Sequence, residues 1–155
     1  MRIDPVDRKI LDLLQDDASL SVAELAERAG LSPSPCWRRV QALEKAGVVK
    51  KRVALLDRAQ LNVGVTVFVA IRTNQHNKAW LDRFAEAVLD IPEVVELYRM
   101  SGDIDYMLRV VVPDIAAYDG VYKRLIAKIE LSDVSSSFAM EEIKYTTAIP
   151  LTYAR

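Results

Sequence analysis

Two helix-start signals lie close together near the beginning of this sequence, and their spacing limits what the chain can fold into. Ser21-Val22-Ala23-Glu24 is a capping box, in which serine and glutamate side chains satisfy the free N–H groups of a helix start. Gly30 ends that helix, because glycine readily adopts the left-handed conformation after a last turn. Ser32-Pro33 then starts another helix after only one intervening residue. The spacing predicts a helix-turn-helix.

A further helix precedes this pair, and the third helix ends at a second glycine. Asp4-Pro5-Val6-Asp7 offers an N-cap acid, a proline at the first helical position and an acid in the first turn. The third helix is predicted to run to about Ala46, with Gly47 as its stop. Helical spacing gives each helix an inward face, formed by Val6, Ile10, Leu13 and Leu14, by Leu25, Ala26 and Ala29, and by Cys36, Val40 and Leu43.

The opposite side of the third helix carries a polar stripe. Ser34, Arg38, Gln41 and Lys45 repeat at helical spacing away from the apolar row. Arginine suits guanine edges or phosphates, glutamine suits adenine, and serine and lysine suit phosphates. The sequence therefore predicts that the exposed face of this helix reads DNA.

The predicted DNA contacts extend on both sides of this stripe. Arg39 and Lys45 could alternatively be solvated charges. The alternative for Trp37 is a packing residue beside the next element. The complete predicted set is Ser32, Ser34, Pro35, Trp37, Arg38, Arg39, Gln41, Lys45, Lys50, Lys51 and Arg52.

The balance of charged residues changes where the helix-turn-helix region ends. The net charge of the whole chain is only −1. Residues 1–60 hold 11 Lys/Arg and 9 Asp/Glu, whereas residues 61–155 hold 10 Lys/Arg and 13 Asp/Glu. A basic, β-rich stretch over 48–56 is predicted to be a wing or linking strand that touches the phosphate backbone. Residues 57–64 are predicted to be a hinge, which gives domains over 1–60 and 61–155.

The second half has the order of a ferredoxin-like module, in which an antiparallel sheet carries helices on one face. Val63, Val65, Val67, Val69 and Ile71 alternate as in a half-buried strand. The other elements are a helix carrying Trp80, Leu81, Phe84, Ala85, Val88 and Leu89, strands over 94–100 and 104–112 around a turn at 101–103, a helix capped by Asp114, and a strand over 133–143. The fold class is therefore α+β: a winged helix-turn-helix followed by a βαββαβ domain.

One face of such a sheet has no helix to cover it. Apolar side chains occur on both registers of the strands, at Phe68, Leu97, Met107, Val111, Phe138 and Met140. An apolar sheet face has to pack against something, so the pattern predicts a homodimer formed through the sheet.

Several functional classes are disfavoured by what the sequence lacks. It has no apolar run long enough to span a membrane and no signal-peptide pattern at its start. The one cysteine, Cys36, cannot form an internal disulfide, which favours a location in the reducing cytosol. For a DNA-binding protein this means association with the nucleoid. One histidine, His76, has no companion for a metal site, and catalytic motifs are absent. We therefore expect no catalytic residue, no metal and no cofactor.

Three motifs in the same order resemble the Lrp/AsnC family, the feast/famine regulators of bacteria and archaea. They are the turn and third helix from Gly30 to Val40, the stretch Val53-Ala54-Leu55-Leu56-Asp57, and Ser101-Gly102-Asp103-Ile104-Asp105-Tyr106. The resemblance covers essentially the whole chain. It implies a transcriptional regulator with a RAM-type C-terminal domain that dimerises and assembles further into tetramers or octamers.

The resemblance also implies an amino-acid effector bound near the glycine-aspartate turn. A glycine lets a backbone N–H approach an α-carboxylate, and an aspartate can accept from the α-ammonium. The implied effector residues are Met100, Ser101, Gly102, Asp103, Asp105, Ser135, Ser136 and Ser137. An ordinary hairpin turn at Gly102-Asp103 is the structural alternative. Cys36-Trp37 and the 135–147 segment look closest to a subgroup linked to sulfur amino acids, chiefly cysteine, although another small amino acid fits the side chains equally.

Two other functions remain open at this stage. An architectural DNA-binding protein without an effector would use the same helix-turn-helix and the same oligomerising sheet. A small ferredoxin-like enzyme is the less favoured alternative, because Asp103 and Asp105 lack the partners that paired catalytic acids need.

Overall fold

The computed structural model describes residues 2–155, which form two compact units. The first unit contains residues up to Leu55 together with Lys144–Arg155, and the second contains Leu56–Ile143. The elements are α1 (Pro5–Asp16), α2 (Val22–Ala29), α3 (Pro33–Lys45), β1 (Val65–Arg72), α4 (Lys78–Leu89), β2 (Val94–Arg99), β3 (Tyr106–Val112), α5 (Ile115–Lys128), β4 (Asp133–Phe138) and a 3₁₀ turn at Leu151–Tyr153.

The helix caps of the first unit follow the local sequence signals. Asp4 accepts from the Asp7 backbone N–H at 2.8 Å, and Asp7 accepts in return from Asp4 at 3.1 Å. Ser21 and Glu24 form the predicted capping box of α2. Gly30 follows α2 in the left-handed conformation, with φ at +76°. These reciprocal bonds satisfy helix-start N–H groups that would otherwise lack a partner.

The three helices bury one contiguous apolar cluster. Ile10, Leu25, Val40 and Leu43 are essentially inaccessible to solvent, and Cys36 lies among them. The helix-turn-helix prediction and the inward faces of α2 and α3 are thus confirmed. On α1 the predicted Ile10 is buried and Val6, Leu13 and Leu14 are partly buried, but the buried Leu11 was not predicted. Another local difference occurs at Ser32. That residue occupies the N-cap of α3, but its side chain makes no capping hydrogen bond.

The strand predicted over 48–56 does not form. This stretch has no ladder partner in the described chain, and Val53, Leu55 and Leu56 are exposed. High β-propensity needs a neighbouring strand to become a sheet, and none lies beside this segment. The predicted hinge is a compact turn: Asp57 Oδ1 accepts from the Ala59 N–H at 2.9 Å, and Asn62 has a positive φ of 57°.

The second unit has the predicted βαββαβ order. Its four strands are antiparallel in the order β2-β3-β1-β4, and both α4 and α5 pack on the same side. The inward side chains of β1 are Val67, Val69 and Ile71, as the alternation predicts. The last strand is shorter than predicted: β4 ends at Phe138, the Ala139 N–H still donates to the Thr66 carbonyl of β1, and residues 140–143 are not in a strand.

An aromatic group fills the centre of the second core. The rings of Trp80 and Phe84 are stacked, with their centroids 5.0 Å apart, and the ring centroid of Tyr106 lies 4.8 Å from that of Phe84. The predicted stripe of α4 is wrong at its end, because Leu89 is 81 % exposed, while Ala87 takes an inward position. Leu89 lies in the last turn of the helix, between the buried Val88 and Ile91, on the face exposed to solvent.

The final segment groups differently from the predicted division at 61–155. Residues 144–155 belong by their contacts to the first unit, where Leu151 and Ala154 pack against its apolar cluster. Among the described helices, none combines the length and apolar character needed to cross a membrane.

Replacing Phe84 should destabilise the second unit strongly, whereas replacing Leu89 should not. Phe84→Ala removes a fully buried ring from the aromatic group and should cost about 3–5 kcal/mol of unfolding free energy. Leu89→Ala, on the same helix, should change stability by less than about 0.5 kcal/mol. Urea unfolding followed by fluorescence measures both. Equal losses would contradict the exposure of Leu89.

Candidate functional site

The outer side of α3 presents a continuous polar stripe. Ser34, Arg38, Gln41 and Lys45 are all exposed, and they lie opposite the buried Cys36, Val40 and Leu43. Their spacing of three or four residues places them in one row along the helix. The row presents a hydroxyl, a guanidinium, an amide and an ammonium group to solvent.

Arg38 is available to a partner outside the chain. Its side chain has no hydrogen bond or ion pair within residues 2–155, and it is exposed at the middle of the stripe. A guanidinium in this position can donate two parallel hydrogen bonds to a guanine edge or to a phosphate.

Arg39, the next residue, has an entirely different environment. Its Nη1 lies 2.7 Å from an Asp4 carboxylate oxygen and 2.7 Å from an Asp7 carboxylate oxygen. The Asp7 side chain is almost completely buried, at 4 % exposure. Arg39 therefore joins α3 to the start of α1, and it is neither the solvated charge nor the free DNA contact that its sequence position suggests.

The pKa values of Asp4 and Arg39 both shift in this environment. The pKa of Asp4 is lowered, first by the hydrogen bond that its carboxylate accepts from the Asp7 backbone and then by Arg39. The pKa of Arg39 is raised by its bonds to Asp4 and Asp7. Both directions favour the charged forms, so the contact persists at neutral pH.

The remaining predicted DNA contacts lie around the stripe. Trp37 is 42 % exposed and Pro35 is half-buried, while Ser32 is exposed at the start of α3. Lys50 and Lys51 are exposed in the segment after α3. Arg52 forms an ion pair of 2.9 Å with Glu44 on the surface of the same unit.

The turn between β2 and β3 has an exposed tip and a fixed base. The Met100 N–H donates to the Asp105 carbonyl at 2.8 Å, which closes the base. Ser101, Gly102 and Asp103 form the exposed tip, where Gly102 has a φ of +102°. Apart from Gly102 and its two chain neighbours, no atom of residues 2–155 lies within 4 Å of the place a Gly102 Cβ would occupy, so conformation rather than crowding favours glycine there.

The two aspartates of this turn have different roles in the fold. Asp105 accepts from the Thr73 N–H through its carboxylate at 2.8 Å, while its own N–H donates to the Ile71 carbonyl. It therefore holds the end of β1 beside the turn. The Asp103 side chain is exposed and has no bonding partner in the described chain, which leaves its carboxylate open to a ligand.

The three serines of β4 do not share a face. Ser135 pairs with Ala70 and Ser137 with Phe68 on the face without helices. Ser136 pairs with Val69 on the helix side, where its hydroxyl forms a short hydrogen bond with the Tyr118 hydroxyl. Burial raises the pKa of Tyr118. Since β4 is separated from β3 by β1, Ser135 stands two strand spacings, about 10 Å, from the strand that follows the turn.

The uncovered face of the sheet is only partly apolar. Phe68, Met107 and Val111 lie on it, whereas Leu97 and Phe138 pack toward the helices. Met140, beyond the end of β4, is 97 % exposed.

A half-buried ion pair crosses this face. Arg109 Nη2 lies 2.6 Å from Glu96 Oε1, and the Tyr98 hydroxyl donates to Glu96 Oε2 at 3.2 Å. The Arg109 guanidinium beside Glu96 holds the pKa of that carboxyl below its ordinary value.

Comparison with known proteins places these features in a family. A model of winged helix-turn-helix DNA-binding domains matches residues 3–50, and the Lrp/AsnC ligand-binding domain matches residues 66–149. The chain belongs to the Lrp/AsnC family. It is accordingly a DNA-binding transcriptional regulator with an amino-acid-binding domain.

Individual relatives match almost the whole chain. It is 51 % identical to the glutamate uptake regulatory protein of Zymomonas mobilis, covering 97 % of this chain and 92 % of that protein. It is 48 % identical to the transcriptional activator DecR of Escherichia coli, covering 96 % and 99 %. These relatives are regulators rather than enzymes, in agreement with the sequence argument against catalysis.

Two solved structures are also similar over nearly the full length. An AsnC family regulator from Agrobacterium tumefaciens has a TM-score of 0.95 and 65 % identity, covering 97 % of this chain and 98 % of that one. A regulator from Neisseria meningitidis, solved as a complex with L-Met, has a TM-score of 0.91 and 38 % identity, covering 96 % and 97 %.

Some residues of this site could not be identified from local sequence patterns. Asp4 and Asp7 read as helix-start acids, and their second role in binding Arg39 appears only when α1 and α3 pack together. Metal-binding groups of three or more His, Cys, Asp or Glu side chains do not occur among residues 2–155.

Alanine substitutions at the two neighbouring arginines of α3 should separate DNA binding from stability. Arg38→Ala should weaken binding to a specific duplex by about 1–3 kcal/mol, because a guanidinium at a base edge is lost, while the unfolding midpoint stays unchanged. Arg39→Ala should lower stability by about 1–3 kcal/mol, because the buried Asp7 carboxylate loses its charged donor. Fluorescence anisotropy and urea unfolding measure the two effects. If Arg38→Ala weakens specific and random duplexes equally, Arg38 contacts phosphate only.

Acid should remove the stability that Glu96 contributes. Because its pKa is lower in the folded protein, this stability is complete above the ordinary value of 4.5 and is lost as the pH falls below it. Glu96→Gln should therefore be less stable than the parent at pH 7, and the gap should narrow below pH 4.5. Glu86→Gln, an exposed residue of α4 without an ion pair in the described chain, is the matched control. A gap that stays constant with pH would contradict the pairing.

Proposed function

We propose that this regulator reads a specific DNA sequence with α3 and that a small amino acid bound to the second unit changes its DNA affinity or assembly. The observation that carries the DNA part is the free, exposed stripe of Ser34, Arg38, Gln41 and Lys45, centred opposite the buried face of α3. A convex helix with this chemistry fits the major groove. Lys50 and Lys51 would then contact phosphates beside the groove.

The proposed effector pocket is centred on the exposed tip of the turn at 101–103. A backbone N–H beside Gly102 would bind the α-carboxylate, and the free Asp103 carboxylate would bind the α-ammonium. Met100 would provide apolar contact from the base of the turn, where it is 40 % exposed. Asp105 would keep the turn in place through Thr73 rather than bind the effector directly.

The L-Met complex of the Neisseria relative supports an α-amino acid as the class of effector. Within that class we propose cysteine or another small amino acid, and a sulfur-containing side chain is tested first. Of the β4 serines, Ser136 is engaged with Tyr118 on the helix side. Ser135 and Ser137 would therefore contribute only to an effector that extends from the turn across β1 to β4.

The same proposal includes a homodimer through the uncovered face of the sheet. Phe68, which is 41 % exposed, and the half-buried Met107 provide its apolar surface, and the Arg109–Glu96 pair provides a polar feature that a partner has to match. Assembly into a tetramer or octamer would follow from contacts between dimers. Residues 1–60 and 61–155 correspond in this proposal to the DNA-binding and the effector-binding domain, except that residues 144–155 belong by their contacts to the DNA-binding unit.

An architectural protein that coats DNA without an effector is the second candidate. The exposed basic run at Lys50 and Lys51 favours it, because phosphate contacts carry no sequence information. Such a protein would bind random duplexes nearly as tightly as its own promoter, with a steep dependence on salt.

The test is anisotropy titration of the full chain on its own upstream DNA, at fixed salt, with each of the twenty amino acids. One amino acid should change the affinity severalfold, and Asp103→Ala should abolish that response while leaving DNA binding intact, because the α-ammonium loses its counter-charge. Glu86→Ala, which removes one acidic side chain from α4, is the control.

Each other outcome is informative. Indifference to all twenty amino acids, together with weak sequence preference, would overturn the sensor in favour of the architectural function. A full response in Asp103→Ala would remove Asp103 from the pocket.

A further inference from the structure

The last twelve residues of the chain, 144–155, attach to α1 through two separate contacts. Gln15 uses both ends of its side-chain amide on one residue: Nε2 donates to the Ile149 carbonyl at 3.2 Å, and Oε1 accepts from the Ile149 N–H at 2.7 Å. Arg8 Nη2 donates to the Ala154 carbonyl at 2.9 Å. Arg8 and Gln15 are seven residues apart, so they lie on the same side of α1 two turns from each other.

These contacts hold the backbone of the segment rather than a large apolar surface. Residues 141–150 are exposed throughout, and only Leu151 and Ala154 pack against the cluster of the first unit. The Nε of Arg8 is buried without a hydrogen-bond partner in the described chain, so the bond to Ala154 is an important part of what satisfies this guanidinium. The attachment therefore depends on a small number of identifiable bonds.

The residues that lead into this segment belong to the other unit. Glu142, one residue before the second unit ends, forms an ion pair of 2.7 Å with Arg58, which donates in turn to Thr66 Oγ1 at the start of β1. The chain then continues through Lys144 into the first unit. Two chain connections thus join the units, one at Leu55–Leu56 and one at Ile143–Lys144, and the second starts from an anchored residue.

Helix α1, which binds this segment, also binds α3. Asp4, the N-cap of α1, and Asp7 in its first turn bind Arg39 of α3. A continuous series of bonds therefore runs from Ile149 and Ala154, through α1, to the helix that presents the DNA-reading stripe.

We propose that residues 144–155 are a positioning element for DNA recognition: they hold α1, and α1 holds α3 at the angle that DNA binding requires. Because the chain enters the segment two residues after Glu142, which Arg58 binds in the second unit, the segment also transmits the effect of a bound amino acid to the DNA-binding unit. This second statement rests on the proposed function, and the first does not.

The test uses the full chain with Arg8→Gln and Gln15→Ala combined. Specific DNA binding should weaken about tenfold, the size expected from the loss of a charged hydrogen bond and an amide pair, while non-specific binding changes less. Lys9→Gln is the matched control, because it removes an equal charge from the adjacent, exposed position of α1. Hydrogen exchange on the parent should show a protected amide at Ile149, because its N–H donates to Gln15 Oε1.

Truncation after Ile143 provides a second variant. Truncation should weaken specific DNA binding at least as much as the double variant does. The control is Lys144→Gln combined with Arg155→Gln, which removes the two basic side chains of the segment but keeps it attached, and it should have a smaller effect. If an amino acid alters DNA affinity in the parent, the truncated chain should still bind that amino acid by calorimetry but lose the change in DNA affinity.

Several results would overturn the proposal. A freely exchanging Ile149 amide in the parent would show that the segment is not attached in solution. Unchanged specific binding in the double variant, with Ile149 no longer protected, would show that attachment does not affect recognition. If the unmodified protein responds to no amino acid, the effector part of the proposed function is refuted. The exchange of the Ile149 amide and the DNA binding of the double variant would still decide whether the segment positions α1 and α3.

Discussion

The angle at which α3 is held is the constraint on which the DNA-binding unit depends. One side of the helix is buried through Cys36, Val40 and Leu43, and a flank is tied to α1 by the bonds from Arg39 to Asp4 and Asp7. Burial alone would allow the helix to slide or rotate slightly, because apolar contact is not directional. The charged hydrogen bonds are directional, and they fix which residues face outward. The stripe around Arg38 is a consequence of that arrangement.

The second unit depends on a comparable asymmetry. Helices α4 and α5 cover one side of the sheet around the Trp80–Phe84–Tyr106 group, and the other side has no helix. That open side combines apolar residues with the Arg109–Glu96 pair, a composition that favours a specific partner over indiscriminate association. In the proposed function the tasks are separate: one helix face would bind DNA, and one turn and one sheet face would serve the effector and assembly.

The path of the chain connects these tasks. The final segment leaves the second unit beside Glu142 and becomes part of the first, with its backbone bound by Arg8 and Gln15. Regulation requires that two sites bias one element between arrangements. A segment anchored at both ends, and held by few bonds, is suited to that role because its attachment can be changed at small energetic cost.

Features that depend on neighbouring residues were accessible from the sequence. The caps at Asp4, Ser21 and Asp114 and the stop at Gly30 are confirmed, because each is a bond or a backbone preference within a few positions. The faces of α3 and β1 followed from periodicity, and the order of elements and the Lrp/AsnC motifs indicated the fold. Tertiary structure decided the rest. The stretch 48–56 has strand propensity but no neighbouring strand, and Ser136 is separated from Ser135 and Ser137 by the pleat of β4. Arg39 meets Asp4 across 35 positions, and Gln15 meets Ile149 across 134. Such contacts exist only once packing brings distant segments together, because no local pattern specifies the partner of a long side chain.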